Sequence, residues 1–141
     1  MLCIGVGNAY RRDDAAGLEV AALLEGTHLT VRQLSGEGAQ LMLAWRDAPH
    51  VIIIDAVSSS GVPGTIYRLD AAVDPLPAYF FRCSSHAFGV AEAVEMGRAL
   101  DELPAELIIY GIEGADFCEG VGLSPPVAAA VAEVAVRIQR L

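Results

Sequence analysis

The stretch Val51-Ile52-Ile53-Ile54-Asp55 decides the fold. Four branched aliphatic residues in succession leave no polar face, and a strand of that kind must be covered on both sides. Strands on either side fit this reading. Leu2–Val6 is a short apolar run ending in Gly-Val-Gly-Asn, read as a strand and a turn. From Asp14, Leu18, Ala21, Ala22 and Leu24 fall at helical spacing up to a Gly26 stop. Leu29–Leu34 reads as a strand, Ala39–Arg46 as a helix broken by Pro49, and Thr65–Leu69 as a strand after the Pro63-Gly64 turn. Asp70–Phe81, with two prolines, reads as loop. Ala87–Leu100 reads as a helix and Leu107–Ile112 as a strand ending in Glu113-Gly114. Ser124 and Pro125 start a last helix, as cap and first position. The order β-α-β-α-β-β-α-β-α predicts an α/β domain spanning residues 1–141, with a mostly parallel sheet between helices.

Composition narrows the function. At 141 residues, 54% hydrophobic and 19% charged, the chain can bury a core and is not disordered. No apolar run is long enough to span a bilayer. Nine basic residues, all arginine, against 18 acids give a net charge of −9, which argues against nucleic acid as partner. The start lacks the basic-then-apolar pattern of a secretory signal. Cys3, Cys83 and Cys118 are odd in number without C-x-x-C spacing, so free thiols in a reducing cytoplasm are expected.

In open α/β sheets ligands bind beyond the carboxyl ends of the strands. Asn8, Asp13 and Asp14 follow the first strand, Asp55 follows the third, and Glu113 ends the fifth. His86 precedes a helix that can bring it to the same edge. Asp55 is the most telling: a carboxylate after four aliphatics is partly desolvated and needs a cation, a donor or a proton. Asp13 and Asp14 are also what a helix start favours. Together Asp14, Asp55 and His86 supply O, O and N donors, a set that suits a borderline divalent ion such as zinc or nickel. Competing signals are incomplete. Gly5-Val6-Gly7 begins a dinucleotide fingerprint, but Tyr10 stands where the third glycine belongs. Cys83-x-x-His86 lacks the second pair of a structural zinc site, and nothing else supports it as nucleophile and base. His28 and His50 read as surface residues, and Met42 and Trp45 as core.

Several short motifs, in order, resemble those of the [NiFe]-hydrogenase maturation proteases. They are Gly5-Val6-Gly7-Asn8, Arg12-Asp13-Asp14-Ala15-Ala16-Gly17, Ile54-Asp55-Ala56, Pro63-Gly64-Thr65, Ser84-Ser85-His86, Tyr110-Gly111-Ile112-Glu113 and Gly122-Leu123-Ser124-Pro125. The resemblance implies a twisted five-stranded sheet in a three-layer α/β fold. It also implies an aspartic-type endopeptidase that cuts the C-terminal extension from a hydrogenase large-subunit precursor after nickel insertion. By motif, the family's metal-contacting trio falls on Asp14, Asp55 and His86, with Asp14 where some members carry Glu.

On this reading the nickel arrives with the precursor, and zinc or cadmium could take the site in the isolated chain. A carboxylate, Asp55 first, or a water on the metal delivers hydroxyl to the scissile carbonyl; the sequence leaves the two open. Asn8, Asp13 and Glu113 are secondary candidates. Tyr10, Arg11 and Arg12 are candidate precursor contacts, with salt bridges the competing role for the arginines. The expected partner is the precursor, with no nucleic acid or membrane, and the expected state a monomer. The alternatives are a non-catalytic metal- or nucleotide-binding α/β module and a general metal-dependent hydrolase of small peptides.

Overall fold

The computed structural model describes residues 1–77, 79–81 and 86–141. Five strands form one sheet: β1 (Leu2–Val6), β2 (Thr30–Leu34), β3 (His50–Val57), β4 (Ile66–Asp70) and β5 (Glu106–Glu113). Their order is β2-β1-β3-β5-β4, parallel except for β4, which pairs antiparallel with β5 at the edge. Four helices cover it: α1 (Ala16–Leu24), α2 (Gly38–Trp45), α3 (Val90–Ala99) and α4 (Pro125–Gln139). The three-layer, mostly parallel five-stranded α/β architecture expected from the sequence is therefore present.

The pleat assigns each face. Cys3, Ile52, Ile54, Tyr110 and Ile112 pack beneath α1 and α4 with Val20, Leu24, Val127 and Val134. Ile4, Val6, Val51, Ile53 and Ile109 point the other way, against α2 and α3 with Leu41, Trp45 and Val94. Successive side chains on a strand alternate faces, so a run with no polar member fills both cores. Each fully buried aliphatic contributes about 1.5–3 kcal/mol. Trp45 is core as read, and Met42 packs at its margin.

The topology also fixes the position of a cleft. From β1 the chain runs through α1 to β2 on one side; from β2 it returns through α2 on the opposite face to β3. β1 and β3 therefore flank a switch point, where open sheets leave a crevice at their carboxyl edge. β3 extends that crevice downward. Its pairing with β1 ends at Gly5↔Ile54, whereas its pairing with β5 continues to Val57↔Glu113.

Three expectations need correction. Asp55 does not follow the third strand but lies within it, opposite Gly111, because Ala56 and Val57 continue the ladder with β5. The third helix begins at Val90, not at Ala87; Glu92 reaches back to accept from the Gly89 N–H at 2.8 Å and fixes that start. Ser124 precedes α4 but makes no side-chain cap, because its hydroxyl donates to Asp13.

Candidate active site

The start of α1 rests on the ends of β1 and β3 with no room for side chains between them. A Cβ on Gly17 would stand 2.2 Å from the Ile54 carbonyl oxygen and 2.3 Å from that of Val6. A Cβ on Gly7 would stand 2.0 Å from the Asp14 carbonyl oxygen. Gly7, part of the apparent nucleotide fingerprint, and Gly17 thus serve close packing, and this packing brings Asp14 to the crevice that Asp55 lines.

Asp14 and Asp55 line one narrow cleft, together with Val6, Gly7, Ser35, Gly36, Ser58, Phe80, Phe81 and Phe117. Asp55 is buried, and its Oδ1 accepts from the Ala56 N–H at 2.8 Å. Burial pushes its carboxyl well above the ordinary carboxylate value; the nearby charge of Asp14 adds to the rise and the Ala56 bond opposes it. Asp14 is half-buried, and its Oδ2 accepts from the Asn8 N–H at 3.1 Å. Its carboxyl is also raised, by desolvation, against the opposing pull of Arg11, the Asn8 bond and His86.

His86 stands in the loop before α3, at the border of this cleft. A Cβ on Gly36 would meet its Cδ2 at 3.9 Å, and its charge acts on both Asp14 and Glu37. The three residues singled out in the sequence therefore approach one crevice from the turn before α1, from β3 and from the loop before α3. Among the described residues, no three His, Cys, Asp or Glu side chains are grouped as a ready-made cage for a metal ion. The donor set suits a cation that brings ligands of its own: two acids that resist ionisation together, with an imidazole beside them. Cys83, with Ser84 and Ser85 of the resemblance, lies outside the described residues.

The secondary candidates have structural positions. Asp13 is fully buried and faces away from the cleft, accepting from Ala115 N–H, Asp116 N–H, Ser124 N–H and the Ser124 hydroxyl at 2.8–3.0 Å. Burial pushes its carboxyl up, but these four bonds outweigh that and hold it below the ordinary value. Glu113 is buried too. It accepts from Ser59 N–H and Tyr67 O–H, each at 2.9 Å, and from the Ser59 hydroxyl. Tyr67 stacks against Phe80, a cleft wall, at 4.8 Å between ring centroids, so Glu113 supports the cleft without lining it. Asn8 uses its side chain to accept from Tyr10 N–H at 2.9 Å.

Tyr10 is 74% exposed and lines a shallow groove with Asn8, Arg11, Glu119, Gly120 and Val121. Arg11 acts electrostatically on Asp14. Arg12 lies against Gly120 and pairs with Asp116 at 3.7 Å, as the salt-bridge reading has it. His28 is exposed; His50, also exposed, pairs with Glu106 at 2.8 Å. Cys3 and Cys118 are free thiols, and burial pushes Cys3 up to about 11.

The segment Ser35-Gly36-Glu37 escaped the sequence reading. Glu37 caps α2 by accepting from Ala39 and Gln40 N–H, both at 3.0 Å, while Ser35 and Gly36 line the cleft. The strand-edge rule that picked out Asp14 and Asp55 applies equally after β2 and would have found it.

Comparison with known proteins agrees with this architecture. The family model described as hydrogenase maturation protease, HycI, matches residues 26–140. The hydrogenase 2 maturation protease of Escherichia coli K12 is 31% identical over 138 residues, covering 93% of this chain and 83% of that protein. An Escherichia coli endopeptidase known from its solution structure is 26% identical with a TM-score of 0.81, covering 98% of this chain and 90% of that one. The [NiFe] hydrogenase maturation protease HybD from Thermococcus kodakarensis shares the fold, with a TM-score of 0.74 at 24% identity over 99% of this chain and 96% of that one.

Proposed function

This chain belongs to the hydrogenase maturation protease family, and from that premise we propose that it removes the C-terminal extension of a [NiFe]-hydrogenase large-subunit precursor, reading the inserted nickel as its signal. Membership makes it a peptide-bond hydrolase and sets aside a non-catalytic module. The finer reading rests on one observation: two carboxylates, both held above their ordinary value, share a cleft bordered by an imidazole. Bringing a cation there relieves the cost of ionising both acids.

The nickel belongs to the precursor and is part of the substrate. Asp14 and Asp55 would offer it oxygen donors and His86 nitrogen. Docking on that ion would hold the scissile peptide beside the cleft, and orientation alone can lower a barrier by about 7–11 kcal/mol. Asp55 is the preferred general base. Once the cation has favoured its ionised form, a carboxylate oxygen of Asp55 not engaged by the ion would accept the proton of a water attacking the carbonyl. The phenyl rings of Phe80, Phe81 and Phe117 narrow the water's access to that reaction. Tyr10 and Val121, both exposed in the groove with Asn8 and Arg11, are the precursor contacts this arrangement favours. The working state is a single chain in the cytoplasm, consistent with the free thiols Cys3 and Cys118.

Incubation with nickel-loaded and nickel-free precursor tests the reading. Cleavage of the loaded form alone is expected. Equal cleavage of both overturns nickel recognition, and cleavage of neither overturns the proposed activity.

A further inference from the structure

The turn that carries Asp14 has little support of its own. Arg12–Ala15 is a single 3-10 turn, and neither its N-cap Arg11 nor the following N-cap Ala15 makes a side-chain cap. Arg12 sits at φ +46°, in the left-handed region that non-glycine residues rarely adopt. A short, uncapped and strained turn needs its conformation imposed from outside.

That support comes from residues 115–124, more than a hundred positions away. Arg12 N–H donates to Gly120 O at 3.2 Å, Gly120 N–H to Tyr10 O at 2.9 Å and Asp13 N–H to Asp116 O at 3.0 Å. The side chain that binds both ends of the segment is Asp13, through Ala115 and Asp116 at one end and Ser124 at the other. The adjacent residue, Asp14, lines the cleft, which Asp13 does not.

We propose that Asp13 is the positioning residue for Asp14: by gathering four donors from residues 115–124 it fixes the turn whose next carboxylate faces the cleft. Its effect on catalysis rests on the function proposed above, whereas its effect on geometry does not. A carboxylate suits this place because all four partners donate. An amide turns one acceptor into a donor and leaves at least one partner unmatched.

The test uses Asp13→Asn, Asp14→Asn, the double variant and Ser124→Ala, which removes one donor and leaves the backbone bond. Asp13→Asn should slow cleavage per folded molecule by about 10–100-fold, as loss of a supporting partner does elsewhere; Ser124→Ala should slow it less. The double variant should be no slower than Asp14→Asn, because Asp13 acts through Asp14. Losses that multiply would assign Asp13 a separate, purely structural role and overturn the proposal. Independently of cleavage, the Asn8 amide resonance reports the bond to Asp14 Oδ2. It should move in Asp13→Asn and Ser124→Ala toward its position in Asp14→Ala, which has no acceptor there. An Asn8 amide unmoved in both overturns the proposal even if no precursor is ever cut. A moved amide without cleavage by the wild type would instead locate the failure in the proposed function.

Discussion

Asp14 and Asp55 face each other across one cleft, and the charge of Asp14 helps hold the Asp55 carboxyl above its ordinary range. Asp14 comes from the turn before α1 and Asp55 from β3, and they meet because α1 is seated on glycine. Their proximity is costly in the resting protein, since each disfavours the ionised form of the other.

The first prediction follows from that cost. A carboxyl raised on folding binds its proton more tightly in the native state than in the unfolded one, so its contribution to stability falls as pH rises from the unfolded toward the folded value. At neutral pH, Asp55→Asn should therefore raise the thermal midpoint while ending cleavage, since the amide oxygen can still accept from Ala56. The gain should shrink at acidic pH, where both proteins are neutral at this position. Thermal melts at pH 7 and below pH 4 check it, and a lower midpoint at pH 7 would oppose it.

Asp14→Ala and His86→Ala should each reduce cleavage by about 10²-fold or more while the circular dichroism spectrum stays that of the wild type. Activity near wild type in either variant removes that residue from the site.

Glycine at position 17 is required by backbone on two sides. Gly17→Ala should destabilise the protein by at least about 1–3 kcal/mol, the usual cost of overpacking, because Ile54 O and Val6 O cannot rotate away. Gly26→Ala meets no such wall, since no atom lies within 4 Å of the added carbon, although its φ of +77° adds backbone strain. Chemical denaturation of both variants should rank Gly17→Ala as the more damaging.

Glu113→Gln should cost about 1–3 kcal/mol, since three donors then meet an amide that offers one acceptor atom. Tyr67→Phe removes one of those donors and should cost less. Urea midpoints check the order.

The fold was legible because its strongest signal is local. Val51–Ile54 has no polar member, and that alone demands cover on both faces. Asp55 was legible as a candidate by its place after that run, but not its depth, since the strand's end is set by pairing with Ile112 and Glu113 of β5. Asp13 was ambiguous for a related reason. Acids at a helix start are common, and what distinguishes this one is a set of donors beyond position 114, which no local pattern reveals. Ser124 holds the cap position as read, but its hydroxyl does not cap the helix, on the same account. Its neighbour Pro125 marks a helix start correctly, while the hydroxyl's actual acceptor lies 111 residues away. Glu113 was placed correctly at the end of its strand, but only the folded chain shows it turned toward Ser59 and Tyr67 rather than into the cleft.

The central claim is that Asp14, Asp55 and His86 take hold of a nickel ion carried by the precursor. X-ray absorption at the nickel edge, recorded on loaded precursor with and without this protein, addresses it most directly. The account predicts added oxygen and nitrogen neighbours on mixing with the wild type, fewer with Asp14→Ala or His86→Ala. A nickel environment unchanged by the wild-type protein, in a mixture where the two chains bind, would contradict it.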